Sequence, residues 1–157
     1  MTIKNTISTD MNTINVSGTV TDVTFDNDEA LYVTNVYFEN RIPEGSNTFR
    51  LTFYDDEALW AYHLYKRGHR VEVSGRMYLD DSVPGMCCQI TAIERLSHTD
   101  VHGFEVQRGL FQLPIDASDD FDRIFSAIEV AAINDESRRE YLWHERLANE
   151  LKYEADL

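Results

Sequence analysis

The chain reads as a mainly β domain: five short strands curled into a barrel, one helix between the third and fourth strands, and a helical extension at the C-terminal end. Three observations predict this. Short stretches with an apolar residue at every second position recur along the first two thirds of the chain. A single helical period interrupts them after Tyr54 and ends at a cationic turn, Lys66-Arg67-Gly68. From Asp119 the period becomes helical and, after a break at Asn134-Asp135, a second helical stretch runs to about Tyr153.

The first strand runs from Asn12 to Val23, where Ile14, Val16, Gly18 and Val20 alternate with Thr13, Asn15, Ser17 and Thr19. Gly18 in mid-strand predicts a bulge or sharp bend, which a small barrel needs. Asp26 to Glu29 reads as a turn, and Ala30 to Glu39, rich in Tyr, Val, Thr and Phe, as the second strand. Ile42 to Asn47 has loop chemistry. Phe49, Leu51 and Phe53 then alternate with Arg50, Thr52 and Tyr54 as a third strand. Asp55, Asp56 and Glu57 suit the positive end of a helix dipole, with Leu59, Tyr62 and Leu64 or Tyr65 at helical spacing behind them. Val71, Val73 and Gly75 resume the alternation in a fourth strand. A turn over Asp80–Gly85 leads to a fifth, Met86 to Leu96, with Cys88, Ile90 and Ala92 or Ile93 inward. Five strands with a helix between the third and fourth is the plan of an OB barrel.

Beyond Leu96 the texture is mixed, and Phe104–Val106 and Gly109–Leu113 suggest a hairpin or a segment packed along the barrel. Phe121, Ile124, Phe125, Ile128 and Ala132 share one helical face. Asn134-Asp135 reads as a break, and Ser137 to Glu140 as a capping box that opens a second helix carrying Trp143, Leu147 and Leu151 on one stripe. The expected organisation is a flexible N-terminus over 1–11, an OB domain over 12–97, a connector over 98–118 and an acidic helical extension over 119–157.

Of the 157 residues, 43% are hydrophobic, enough for one packed domain. No apolar run is long enough to span a membrane and the N-terminus lacks the apolar core of a signal peptide. The two cysteines, Cys87 and Cys88, are neighbours and make no disulfide framework, so a cytoplasmic setting is expected, with one thiol inward and one outward. No phosphate-cradling glycine loop, nucleophile elbow or metal constellation is present, so no enzyme and no cofactor is expected. His98 and His102 are spaced as ligands on a helix would be, but no further ligands gather beside them.

The net charge of −14 opposes simple attraction to phosphates. Its distribution matters more than the total. Residues 1–98 carry 8 Lys and Arg against 14 Asp and Glu, while residues 99–157 carry 6 against 14. The first segment can still supply a local cationic strip from Arg50, Lys66, Arg67, Arg70 and Arg76.

Residues 12–97 resemble the bacterial single-stranded DNA-binding protein family. The resemblance rests on N-T-I-N-V-S-G-T-V-T-D-V in the first strand, L-Y-K-R-G-H-R-V-E-V-S-G-R-M at the helix end and fourth strand, and Q-I-T-A-I-E-R-L in the fifth. It implies an oligomeric OB fold that binds single-stranded DNA, in replication, recombination or repair, by backbone charge and base stacking. On this resemblance Arg50 and Tyr54 stand where the family places a basic residue and a stacking aromatic, and Phe38 and Tyr78 stand near further aromatic positions. With Arg76 and Lys66 they form the expected nucleic-acid-binding set.

Two features depart from that family. Its tail is a flexible Gly/Pro/Gln-rich segment with an acidic tip, whereas here 119–153 reads as helical, and an acidic-plus-Phe stretch, Asp119 to Phe125, is internal. The barrel itself is also acidic. Both open a second reading: an OB scaffold acting as a protein-interaction module or assembly subunit, DNA-mimicking in one variant, with the Phe121 stripe buried in the same chain or offered to a partner helix.

Overall fold

The computed structural model describes residues 13–28, 31–80, 87–108 and 118–156. The N-terminal segment expected to be flexible, the turn before the fifth strand and Gly109–Leu113 lie outside the described residues. The elements in order are β1 (Ile14–Asp28), β2 (Leu31–Ile42), β3 (Gly45–Tyr54), α1 (Asp55–Leu64), β4 (Arg70–Asp80), β5 (Cys87–Thr99) and α2 (Phe121–Ala155).

The strands close in the order β1-β2-β3-β5-β4, with β4 pairing back onto β1. All neighbours are antiparallel except β3 and β5, which run parallel through Phe49–Cys88 and Arg50–Gln89. This is the OB barrel that the sequence predicts, with the helix between β3 and β4 and a helix after the barrel. The strands are longer than the alternation indicated. β2 and β3 pair from Val33–Tyr54 to Ile42–Gly45, so the expected Ile42–Asn47 loop tightens to a turn at Pro43-Glu44.

Alternation explains the core. Val20, Val36, Phe38, Phe49, Leu51, Val71, Val73 and Ile90 point inward and pack with Ala61 and Tyr65. At about 25 cal/mol per Å² of apolar surface, each such side chain contributes about 1.5–3 kcal/mol toward closure. The bend expected at Gly18 falls slightly later, as a register shift between Val20 and Asp22. Gly18 has a different reason to be glycine: an added Cβ would lie 2.5 Å from the Glu39 carbonyl oxygen and 2.7 Å from the Phe38 ring. In β5, Ala92 and Ile93 are exposed rather than inward, because β5 carries extra residues between Thr91 and Arg95, and Ala92 sits in left-handed backbone at φ +47°.

α1 caps one end of the barrel. Ala58, Leu59 and Ala61 are buried, and the Thr34 hydroxyl donates to the Ala58 carbonyl at 2.6 Å. The helix stops at Tyr65, and Gly68 takes φ +92°, the left-handed turn that its sequence predicts. That turn is stitched to β1: the Gly68 N–H donates to the Val20 carbonyl and the Val20 N–H to the His69 carbonyl.

α2 is one continuous 35-residue helix, not two. Asp135 does not break it because its carboxylate is buried and paired with Arg139, and Ser137 is an exposed mid-helix residue rather than a cap. The cap is Asp120, whose side chain accepts from the Arg123 N–H at 2.8 Å. The Phe121/Phe125 face is half-buried within the chain, where both rings pack with Phe25, and with Tyr32 or Tyr62 beside them. Further along, Ala132 packs with Leu64, Val106 and Trp60. Val106 is held there by its N–H bond to the His98 carbonyl, so the 104–106 segment does pack along the barrel.

Candidate nucleic-acid interface

The outer face of β2, β3, β5 and β4 presents a transverse row of side chains in register: Tyr37, Arg50, Gln89 and Tyr78. Strand geometry dictates the row. Residues opposite one another in adjacent strands point to the same side of the sheet, so an outward Arg50 brings an outward Tyr37 and Tyr78 with it. One step along, Asn35 lies opposite Thr52, and Arg76 opposite Thr91.

The face is a shallow groove of about 530 Å³ whose lining includes Arg50, Tyr54, Tyr78, Thr52, Asn35 and Ile93. Tyr54 is 56% exposed and Tyr78 52% exposed, so both rings are open to a planar partner. Among the described residues, no carboxylate and no residue of α2 lines the groove. In a chain of net charge −14, that local absence of acid matters more than the total.

The floor is preorganised by hydrogen bonds. Buried Gln89 accepts at Oε1 from Arg50 Nε. The Thr52 hydroxyl lies 2.7 Å from Asn35 Oδ1 and 3.1 Å from Gln89 Oε1. Gln89 Nε2 donates to the Ile90 carbonyl at 3.1 Å, which fixes the orientation of the amide and leaves its oxygen toward Arg50. Held at Nε, the Arg50 guanidinium is fixed in the groove, and a planar fork of this kind suits phosphate or a base edge.

Of the six residues expected from the sequence, Arg50, Tyr54 and Tyr78 line this groove, and exposed Arg76 joins them two residues from Tyr78 on the same side of β4. Two do not. Phe38 is fully buried and stacks on Phe49 with ring centroids 5.4 Å apart, so it has no face to offer a base. It shares inward parity with Thr34 and Val36, and the outward aromatic of β2 is its neighbour Tyr37. Lys66 lies in the turn after α1, in a separate cleft that also holds Asp22 and Glu129. Tyr37, Asn35, Thr52 and Gln89 were missed. The alternation of Val36 and Phe38 points to Tyr37, but Gln89 becomes part of the site only through the parallel β3–β5 pairing.

A second polar cluster lies under α2. His69 Nδ1 and His98 Nε2 are 2.8 Å apart, and the His98 ring stacks on Tyr65 at 3.9 Å. Burial pushes His69 down to about 4 and His98 to about 3, with the Arg139 guanidinium adding to both effects. His98 and His102 are not brought together: His102 instead stacks on Trp143 of α2 at 4.3 Å. Among the described residues no group of three His, Cys, Asp or Glu could hold a metal ion. Cys87 is buried and Cys88 partly buried against the core, so neither thiol is fully outward. No helix among the described residues is long and apolar enough to cross a membrane.

No family model matches this sequence, and no curated protein matches it. Solved structures do. A small single-stranded DNA-binding protein from Streptomyces coelicolor is 19% identical with a TM-score of 0.39, over 55% of this chain and 90% of that one. The N-terminal domain of PriB from Thermoanaerobacter tencongensis, described as dimeric, is 19% identical with a TM-score of 0.39, over 56% and 96%. The SSB domain of a Synechococcus sp. protein is 13% identical with a TM-score of 0.39, over 57% and 97%.

Proposed function

We propose that the protein binds single-stranded DNA without sequence preference, through the groove on β2, β3, β5 and β4. Tyr54 and Tyr78 stack on bases, Arg50 and Arg76 meet phosphates, and Tyr37 extends the platform. Stacking of this kind tolerates any base because every base has a π-face. The observation that carries the reading is the pair of half-exposed tyrosines beside a held arginine in a groove that no described carboxylate lines. In this reading the barrel does the binding, Lys66 contacts only a strand that continues past the groove, and the acidic extension lies away from the site. Replication, recombination or repair in the cytoplasm is the corresponding setting.

The test is titration with oligo-dT at low and moderate salt, followed by tyrosine and tryptophan fluorescence. Saturable binding that weakens with salt supports the proposal. No binding at low salt with micromolar protein removes it and leaves the second reading, an OB scaffold that assembles with other proteins. That reading is favoured by one feature alone, the uncovered face of α2.

A further inference from the structure

A cleft of about 450 Å³, separate from the groove, lies where β1, the C-terminal end of α1 and the first turns of α2 meet. Tyr62 and Phe125 form its aromatic wall, and Asp22, His63, Lys66, Arg67 and Glu129 are among its polar lining. Local sequence brings these groups together. β1 shifts register between Val20 and Asp22, which bends the strand where it passes the end of α1. Lys66 and Arg67 follow the last turn of α1, where cations suit a helix C-terminus. Phe125 and Glu129, four residues apart, share one face of α2.

His63 is the group that the fold leaves unsatisfied. It is 8% exposed, and its Nε2 has no hydrogen-bond partner among the described residues. Native interiors rarely leave a polar nitrogen in that state, because its desolvation is costly. The imidazole stands edge-on between two rings, Tyr62 at 5.2 Å and Phe125 at 4.5 Å. Burial lowers its pKa, with Lys66 acting the same way and Glu129 opposing, so the ring is neutral at pH 7. Lys66 and Arg67 are both exposed, and neither side chain is paired among the described residues.

We infer that this cleft binds a free nucleoside monophosphate. The planar base packs on the partly exposed rings of Tyr62 and Phe125, and its polar edge meets His63 Nε2. The phosphate lies against Lys66 and Arg67. Asp22, already held at Oδ1 by the Val23 N–H at 2.9 Å, and Glu129 accept from sugar hydroxyls or a base amino group. A bare phosphate would leave His63 unmet, and a neutral aromatic would leave the two cations unmet. The volume falls within the range of about 300–1,000 Å³ usual for small-molecule sites. The two carboxylates also disfavour a continuous strand. Lys66 and Arg67 suffice for one phosphate, whereas the next phosphate of a strand would pass Asp22 or Glu129. Because Phe125 and Glu129 belong to α2, the site needs the helical extension, and it stands whether or not the groove takes DNA.

Isothermal titration of the full chain with AMP tests this. Saturable one-to-one binding is expected, with adenosine and inorganic phosphate each bound at least about tenfold more weakly, since each lacks half of the contacts. Lys66→Ala combined with Arg67→Ala, both at exposed positions, should weaken AMP binding by about tenfold or more at an unchanged melting temperature. His63→Phe keeps a ring between Tyr62 and Phe125 and removes the unpaired nitrogen. It should weaken AMP binding by about tenfold while the melting temperature holds or rises, a combination that a purely structural His63 would not give. No binding at millimolar AMP, or an affinity that neither variant changes, overturns the inference. Displacement of AMP by a short oligo-dT without terminal phosphates also overturns it, because the cleft would then belong to the path of a strand. AMP bound as expected by a chain that ignores oligo-dT supports the inference and removes the groove reading alone.

Discussion

Arg139 of α2 donates from Nε to Asp100 Oδ2 at 2.8 Å, across 39 residues of sequence, with both side chains buried. The same guanidinium is paired at Nη1 with Asp135 on its own helix. Asp100 is held in turn by the backbone N–H groups of His102 and Phe104 at its other oxygen. The extension is therefore fastened to the end of β5 by one desolvated ion network as well as by apolar contact.

Removing one member of such a network leaves charges buried without a partner, which costs about 3–5 kcal/mol. Arg139→Ala should lower stability by that amount in urea unfolding and expose α2 to limited proteolysis before the barrel is cut. Unchanged stability would show that apolar packing alone holds the helix.

Acid should loosen the same region. His69 and His98 are neutral when folded, with pKa about 4 and about 3 against an ordinary 6.5. Below 6.5 the unfolded chain takes up protons that the folded chain refuses, so stability falls as pH drops from 6.5 toward 4. The slope is about 1.4 kcal/mol per pH unit for each histidine. Asp100, held below its ordinary value chiefly by hydrogen bonds from Phe104, His102 and Arg139 against the opposing effect of burial, adds loss at still lower pH. Urea midpoints at pH 7.5, 5.5 and 4.5 check this, and His98→Phe, which keeps a ring against Tyr65, should flatten the dependence.

In the groove, Tyr54→Ala and Tyr78→Ala should each weaken oligo-dT binding by about 1–3 kcal/mol. Their stability cost should be small, because both rings are more than half exposed. Arg50→Ala should lower affinity and reduce the salt slope by about 0.7. Phe38→Ala should instead unfold the barrel. Equal affinities for the wild type and the tyrosine variants would move the site elsewhere.

Backbone crowding gives a fourth test. A Cβ at position 75 would lie 2.6 Å from the Thr91 carbonyl oxygen and 3.2 Å from that of Ala92. Gly75→Ala should therefore cost about 1–3 kcal/mol by forcing β4 and β5 apart. Ala92→Gly should gain up to about 1 kcal/mol by relieving left-handed backbone. Thermal denaturation of the two variants reads both signs.

The local pattern was enough to determine the five strands, the helix before Gly68 and the inward parity of Leu51 and Val71, since a period of two with one buried face leaves a strand only one way to lie. It also placed Arg50 and Tyr54 on an outward side, while Tyr78 and Arg76 joined them through the family resemblance. It did not determine that they share one groove with Gln89, because that depends on a parallel pairing between strands 39 residues apart in sequence. Nor did it show that Phe38 is core and Tyr37 surface, since neighbouring aromatics differ only in parity. The unity of α2 was illegible for a related reason. Asp135 looks like a helix breaker on its own, and becomes a helical residue only when Arg139 and Asp100, folded against it, supply the countercharges that water otherwise would.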